Sequence, residues 1–210
     1  MSSIESSTTI DIVNVTKCYL GKQAISDVST SFSMGTLNLL IGKNGSGKST
    51  LIKCIMGTLR FQGEIIRKKT AIGYAPEDYV MPYYMSVRDF LESIGKIRDV
   101  ESKRLKQEID DHLNFFDMKS YEHRSFGALS NGMRQKVNLI QAFLNRPKTI
   151  LLDEPLHGLD EESQKKVLKL VKSRLKDCLI IVSTHYPEHF KTRNKRVYQM
   201  IDGRLFIEQA

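Results

Sequence analysis

One segment constrains this chain more than any other. Residues Gly42–Thr50, read as GKNGSGKST, fit the phosphate-binding pattern G-x-x-x-x-G-K-[ST]. The apolar stretch before them predicts a buried strand, and the helical spacing of apolar residues after them predicts a helix that ends near Gly57. In that strand–loop–helix context the glycines permit a tight turn, so that backbone N–H groups and the helix N-terminus face an anion. We therefore predict a phosphate site in which Lys48 reaches the terminal phosphates and the Ser49 hydroxyl ligates Mg²⁺, rather than a Gly/Ser-rich turn that matches by chance.

Length and composition indicate one compact unit with a sizeable core. The chain has 210 residues, 40% of them hydrophobic, and no apolar run long enough to span a bilayer. Residues 1–9 are rich in Ser and Thr and lack the basic-then-apolar pattern of a secretory leader, so we expect a frayed start. The three cysteines are scattered and odd in number, which argues against a disulfide framework or a zinc site. We expect a cytoplasmic chain.

The net charge of +8 would suit a nucleic acid, an anionic lipid surface or nucleotide phosphates as a partner. Basic residues cluster in four runs: Arg67–Lys69, Lys103–Lys106, Lys165–Lys169 and Lys191–Arg196. We interpret these runs as solvated faces, because no nucleic-acid motif and no interleaved aromatic residues accompany them. No nucleic-acid partner is expected.

Apolar strand patterns alternate with helical ones along the chain. The expected strands are Ile10–Thr16, Val28–Phe32, Leu37–Ile41, Glu64–Arg67, Thr70–Tyr74, Thr149–Leu152, Leu179–Val182, Val197–Met200 and Leu205–Ile207, the last two forming a hairpin around Asp202-Gly203. The expected helices follow the phosphate loop and cover Ser86–Ile94, Glu101–Phe116, Gly132–Asn145 and the segment around Leu168–Leu175. This alternation predicts an α/β fold with a mainly parallel sheet.

Two carboxylates end a fully apolar strand in the segment Ile150–Pro155. In proteins with a phosphate-binding loop, a neighbouring strand presents an acid to Mg²⁺, and Asp153 suits that role. Glu154 is then placed to orient or deprotonate the attacking water. Taken separately, the two acids could equally mark a plain strand end. Together with the phosphate loop they favour a hydrolytic site.

The segment Leu129–Val137 (LSNGMRQKV) is predicted to begin a helix, with Ser130 as its N-cap. An ordinary helix cap would explain the segment by itself. However, Ser130 lies 23 residues before Asp153, and this order and spacing resemble the signature motif of ATP-binding cassette (ABC) ATPases, usually Leu-Ser-Gly-Gly-Gln.

Further motifs extend this resemblance over about Ile10 to Ile207. Tyr19 resembles the aromatic residue that stacks on adenine, Glu77 occupies the Q-loop, Gly158–Asp160 resembles the D-loop, and His185 resembles the switch histidine that contacts the γ-phosphate. The resemblance implies ATP as ligand with Mg²⁺ as cofactor. It implies catalytic roles for Lys48, Glu154 and His185; nucleotide contacts from Tyr19, Gly42, Asn44, Gly45, Ser46, Gly47, Lys48, Ser49, Thr50, Ser130, Gly132 and Asp160; and Mg²⁺ contacts from Ser49, Asp153 and Glu77.

The chain departs from the family pattern at four positions. Glu77 replaces the usual Q-loop Gln, Asn131 the first signature glycine, Met133 the signature Gln, and His157 a small residue before the D-loop. The Pro-Glu form of the Q-loop is similar to that of drug- and peptide-export ATPases. Asn tolerates left-handed backbone better than other non-glycine residues, so the signature turn is expected to survive. None of these changes removes a predicted catalytic group, so we expect a competent enzyme.

The resemblance also implies an architecture. It is a P-loop NTPase (RecA-like) core built from residues 1–77 and 145–210, with a reduced antiparallel β region near the N-terminus and an inserted helical subdomain, 78–144, that carries the signature motif. Two such chains, identical or different, would enclose two ATP molecules head to tail, each site completed by the partner's signature. The aromatic and Met-rich segment Tyr79–Met85 would contact a polytopic membrane (permease) subunit or pack inside the helical subdomain.

Three functions remain open at this point. The chain could be the ATPase subunit of a membrane transporter, peripheral on the inner face of the cell membrane; the Pro-Glu form and compact cassette resemble exporters of drugs, peptides or lipids. It could instead be a soluble ABC ATPase that acts on nucleic acid or ribosomes, although such proteins usually carry two cassettes or extra domains. The altered signature and Glu77 also permit a non-hydrolysing regulatory cassette. The transported substrate is not encoded in these motifs.

Overall fold

A computed structural model describes residues 9–98 and 101–208 of the chain, so the expectation of a frayed start lies largely outside it, in residues 1–8. The strands are β1 Thr9–Tyr19, β2 Lys22–Ser33, β3 Leu37–Ile41, β4 Gln62–Arg67, β5 Ile72–Ala75, β6 Thr149–Asp153, β7 Leu179–Ser183, β8 Lys195–Ile201 and β9 Arg204–Ile207. The helices are α1 Lys48–Met56, α2 Val87–Ile97, α3 Ser102–Phe115, α4 Asn131–Phe143 and α5 Glu161–Arg174.

The larger sheet has the strand order β5-β6-β7-β3-β8-β9. Its first five strands pair in parallel, and β9 returns antiparallel to β8 as the predicted closing hairpin. All five residues of β6 and of β7 are buried, as expected for strands covered on both faces. The predicted α/β class with a mainly parallel sheet is confirmed.

A second, three-stranded antiparallel sheet has the order β2-β1-β4 and corresponds to the expected antiparallel region. The sequence pattern predicted only the apolar halves of β1 and β2. Both strands extend to a tight turn at Leu20-Gly21, where both residues have positive φ. The polar halves of this hairpin are held by backbone pairing and show no apolar alternation, which is why the pattern missed them.

Alternation along the strands of the larger sheet separates two cores. In β3, Leu37 and Leu39 pack with the residues of α2, α3, α4 and α5, whereas Leu40 packs with α1 and the antiparallel sheet. The same division places Ile150 and Leu152 of β6 on the first side and Leu151 on the second. Among the described residues between β5 and β6, every regular element is helical. Helix α4 ends at Phe143, earlier than predicted, because the backbone of Leu144 is extended and Asn145 and Arg146 then adopt left-handed backbone.

A charged cluster joins α2 to the rest of the helical segment. Arg88 bonds to Asp110 and Glu122, and Lys119 contacts the same two carboxylates at 2.7 and 3.1 Å. These hydrogen bonds, from Lys119 and then Arg88, lower the pKa of Asp110 below its ordinary value of 3.8. The cluster therefore contributes stability above pH 3.8, and this contribution is lost as the pH falls through the lowered pKa.

We expect Arg88→Met to lower the free energy of unfolding at neutral pH by about 1–3 kcal/mol, because two carboxylates lose a charged donor. Chemical denaturation at a series of pH values measures this difference. It should narrow below pH 3.8, where the wild-type carboxylates also become protonated. Arg104→Met, on the exposed face of α3, is the matched control and should change stability little. If Arg88→Met lowers the free energy of unfolding equally at every pH, the contribution of Arg88 to stability is not electrostatic.

Candidate functional site

The phosphate loop and the predicted residues Asp153, Glu154 and His185 lie at the carboxyl ends of three adjacent parallel strands. Strand β3 leads into the phosphate loop, β6 ends at Asp153, and β7 ends at Ser183, two residues before His185. Register pairs Ser183 with both Leu40 of β3 and Asp153 of β6. Ligands of open α/β sheets bind at this edge of the strands.

Backbone geometry shapes the phosphate loop. Gly42 and Gly47 have φ values of 150° and 110°, and a Cβ at either position would lie within 2.5 Å of a backbone carbonyl oxygen. Gly47 is the N-cap of α1 and has no side chain to accept a hydrogen bond. The first backbone N–H groups of that helix can therefore donate to a ligand. The buried Ser46 Oγ also has no hydrogen-bond partner among the described residues. The loop therefore fits an anion that accepts several hydrogen bonds.

Lys48 lies at the centre of this loop and is 6% exposed. Its Nζ donates to the carbonyl oxygens of Gly42 and Lys43 at 2.8 and 3.2 Å. It also lies 3.5 Å from Nε2 of His185. Burial lowers the pKa of the ammonium, although nearby carboxylates, Glu154 first among them, act in the opposite direction. A buried cation in this position favours binding of a negatively charged group.

Asp153 and Glu154 are both buried behind the loop. The Ser183 hydroxyl donates to Asp153 Oδ1 and accepts from the backbone N–H of Glu154, at 3.1 Å for the second bond. Glu154 has φ of 47°, a left-handed conformation that costs a glutamate of order 1–3 kcal/mol. This backbone turn brings Glu154 Oε1 within 3.1 Å of His185 Nε2, and the His185 N–H donates to Oε2 at 3.3 Å. Desolvation by burial raises the pKa of Glu154, while the His185 charge opposes that shift.

The groups proposed for Mg²⁺ lie around one side of the loop. Ser49 and Glu77 line a cleft of about 350 Å³ together with Lys48 and the loop backbone. Asp153 does not line this cleft, but its charge acts on Lys48. Among the described residues no cluster of three or more His, Cys, Asp or Glu could hold a metal. The oxygen set fits Mg²⁺ bound jointly with substrate phosphates, since this ion takes only one or two protein carboxylates.

Four predicted nucleotide contacts lie apart from the phosphate loop. Tyr19 ends β1 and is 43% exposed, with Lys17 Nζ 4.8 Å from its ring centre. Ser130 and Asp160 are the N-caps of α4 and α5, as their side chains accept from Met133 N and Ser163 N. Gly132 lies against the carbonyl of the D-loop glycine. None of Ser130, Gly132 and Asp160 lines the clefts beside the phosphate loop of the same chain.

Two features of the site were not predicted from the sequence. One is Ser183, which ties both carboxylate residues to β7. The other is a ladder of buried amides on α4: Gln135, Asn138 and Gln141 donate to the carbonyls of Pro155, Pro76 and Tyr74 at 3.4, 2.9 and 2.5 Å. The signal for the ladder was present, because three polar residues at intervals of three interrupt an apolar helix face.

We expect Ser183→Ala to lower ATP turnover about tenfold while ATP affinity changes little. Asp153 Oδ1 loses its donor, and the Glu154 N–H loses one of its two acceptors, so the acid pair is less firmly placed. Phosphate release and nucleotide titration measure the two quantities. Ser173→Ala, an exposed serine of α5, is the control. Equal losses in affinity and turnover would indicate general unfolding of this edge.

These features define a nucleotide-binding P-loop ATPase with a signature helix beside its acid pair. A family model described as "ABC transporter" matches residues 25–157, and the chain belongs to this family. The ABC transporter ATP-binding protein YthP of Bacillus subtilis (strain 168) is 31% identical over 189 residues, covering 89% of this chain and 80% of YthP. YxlF of the same organism is 28% identical over 183 residues, covering 84% of this chain. A solved structure, "Dimeric Structure of MJ0796, a Bacterial ABC Transporter Cassette", superposes with a TM-score of 0.85 at 22% identity, covering 95% of this chain and 97% of that one.

Family membership confirms the predicted ATP-binding cassette ATPase and its α/β fold. The chain spans 62% of the length of YxlF. Within the described residues, no helix combines the length and apolar character needed to cross a bilayer.

Proposed function

We propose that this chain is the ATP-hydrolysing subunit that powers an ABC membrane transporter, acting as an exporter. One observation carries the proposal: Lys48, His185 and Glu154 meet as a buried cation–imidazole–carboxylate group beside a loop shaped for phosphate. A plain strand end and an incidental histidine would not produce this convergence. The same group argues against a regulatory cassette that has lost hydrolysis.

Each residue has a distinct role in the proposed reaction. Lys48 and the N–H groups at the start of α1 hold the terminal phosphates of ATP. Glu154 accepts a proton from the attacking water, and its raised pKa makes it a stronger base than an ordinary carboxylate. His185 holds the Glu154 carboxylate through its backbone N–H and its ring. Mg²⁺, held by Ser49, Asp153 and Glu77, would neutralise charge that develops on the phosphates.

The second half of the proposal is head-to-tail pairing of two cassettes. Ser130, Gly132 and Asp160 lie away from the phosphate loop of their own chain and would complete the site of a partner. A dimeric cassette among the solved structures with this fold supports such pairing. ATP would stabilise the closed pair, and loss of the γ-phosphate would remove contacts that hold it. The cycle is then a shift between two populations driven by ligand.

We further propose a division into a core, 1–77 and 145–210, and a helical subdomain, 78–144, with the permease bound near Tyr79–Met85. A cleft of about 580 Å³ opens there and reaches Glu77 and Glu154. Met81 packs against the core, whereas Val80 and Tyr84 are exposed at 100% and 92%. The segment thus combines an anchored residue with apolar side chains free for a partner.

The proposed direction, export, rests on the Pro76-Glu77 form of the Q-loop, which resembles that of exporter cassettes. The chain would bind its permease at the inner face of the cell membrane.

The proposed transporter function is tested by purifying the tagged chain from gently solubilised membranes in the presence of ATP. A copurifying polytopic membrane protein is the expected result. Recovery of ribosomes or nucleic acid instead would contradict the proposal. A permease related to importers would overturn the direction only.

A further inference from the structure

Another cleft lies at the opposite end of the parallel strands from the phosphate loop. It has a volume of about 350 Å³ and is formed by the C-terminal half of α5, the start of β3 and the segment after β7. Its lining residues are Leu37, Leu168, Lys169, Val171, Lys172, Leu175, His189, Phe190, Lys191 and Thr192. Leu37 begins β3 and Ile41 ends it, so the cleft is separated from the phosphate loop by the length of that strand, roughly 13 Å.

The floor of this cleft is apolar and recessed. Leu37, Val171 and Phe190 are each 2% exposed, and Leu168 is half-buried. None of the exposed large hydrophobic residues of the described chain lies here. A surface that inserts into a bilayer presents protruding apolar side chains, which this concave floor does not. Its shape favours a ligand that inserts an apolar side chain of its own.

The rim of the cleft is cationic, and none of the described residues that line it is acidic. On α5, Lys165 pairs with Glu161 at 2.7 Å, and Lys166 pairs with Glu162 and Asp117. Further along the same helix the pairing stops.

Within residues 9–98 and 101–208, Lys169, Lys172 and Lys191 form no ion pair, and no carboxylate lines the cleft. The nearest such contact is that of His189 Nε2 with Glu188, at 3.8 Å. Lys172 lies in the last turn of α5, where its charge interacts favourably with the helix dipole. The dipole does not account for the unpaired charges of Lys169 and Lys191, which lie outside that turn. The unpaired cations lie on two different elements, α5 and the segment after β7.

We propose that this cleft docks an acidic amphipathic helix of a partner protein, which places one or two large apolar side chains on the floor and carboxylates on the rim. Charge complementarity selects the occupant, since lysines border the apolar floor from both elements and a single anionic head group would engage only part of that rim. The site is separate from the nucleotide site and from the cleft at Tyr79–Met85.

Direct binding of synthetic peptides to the full chain tests this proposal. The probes are fluorescent amphipathic peptides of about twelve residues with Leu or Phe on one face and Glu on the other, and the same peptides with Lys in place of Glu. The expected result is saturable binding of the acidic peptides, weakened by added salt, and no binding of the basic ones. Failure of every acidic peptide to bind would overturn the proposal. So would preferential binding of decanoate or of phosphatidylserine vesicles.

Reversing the charge of the three rim lysines tests whether they select the acidic peptide. The triple variant K169E/K172E/K191E should bind the acidic peptide at least about tenfold more weakly and gain binding of the basic peptide. The control K103E/K106E/K165E changes the net charge equally with exposed lysines outside the cleft, and it should keep the wild-type preference. Equal losses in both triple variants would reduce the effect to overall charge and overturn the assignment.

A pair of α5 variants tests the floor. Leu168 and Leu170 are both half-buried against the same core, but only Leu168 lines the cleft. We expect L168D to abolish peptide binding and L170D to preserve it, with thermal melts showing how far each variant is destabilised. Loss of binding in both, or in neither, would contradict docking on this floor. ATP turnover reports separately on the nucleotide site and should not follow this pattern.

Discussion

Glu154→Gln should abolish ATP turnover and trap the ATP-bound chain as a dimer. The amide keeps the shape of the carboxylate and its bond from the His185 N–H, but it is not a base. Loss of a general base costs about 10²–10⁴-fold in rate. Nucleotide binding should persist, because Lys48 and the loop backbone are unchanged. Phosphate release measures the first effect, and size-exclusion chromatography with ATP or ADP measures the second.

The matched control is Glu64→Gln, an exposed glutamate of β4 far from this edge of the sheet, which should keep wild-type turnover. A Glu154→Gln variant that binds ATP yet remains monomeric would count against ATP-driven pairing. Retained turnover would remove Glu154 from the role of base. Because the two readouts are separate, either half of the proposal can fail without the other.

Lys48→Ala should weaken ATP binding by about 10- to 100-fold, corresponding to one charge-assisted hydrogen bond of about 1.5–3 kcal/mol. The reason is the central position of Nζ, which lies between the loop carbonyls and His185. Isothermal titration with ATP measures the affinity. Turnover should fall with it, since in the proposed reaction Lys48 also holds the terminal phosphates.

Lys53→Ala, on the same helix but away from the loop, is the control and should bind ATP normally. Because Lys48 also bonds to Gly42 and Lys43, its loss could disorder the loop. Lys48→Arg, which keeps the charge, and a thermal melt of each variant distinguish this effect from a lost phosphate contact. Unchanged affinity in a folded Lys48→Ala variant would exclude the residue from the site.

Much of the fold follows from short-range physics that a sequence displays. Strands such as β6 and β7 are continuous apolar runs between turn signals, and the phosphate loop fixes which strand precedes which helix. The N-cap role of Ser130 was likewise predictable, because serine suits a helix start. The carboxyl ends of parallel strands share one edge, so the convergence of Asp153 and His185 could be inferred from their positions after strands.

The remainder depends on contacts between segments distant in the chain. The polar halves of β1 and β2 are set by pairing across a turn and not by apolar pattern. Ser183 falls just beyond the strand predicted for Leu179–Val182, and only the register of β6 with β7 places its hydroxyl beside Asp153. The apolar cleft with the unpaired lysines was also hidden, since the basic runs that border it look like solvated faces.

The buried amide ladder links the part of the domain that would bind a partner to the part that would bind nucleotide. Gln135, Asn138 and Gln141 connect the signature helix to the segments around Tyr74–Pro76 and Pro155 through hydrogen bonds, so we expect these parts to move together. A partner bound beside the Q-loop and a nucleotide bound across the dimer would then act on the same body. Thermodynamic reciprocity requires that each change the other's affinity by the same factor. If ATP raises the affinity for the proposed permease by some factor, the bound permease raises the affinity for ATP by the same factor.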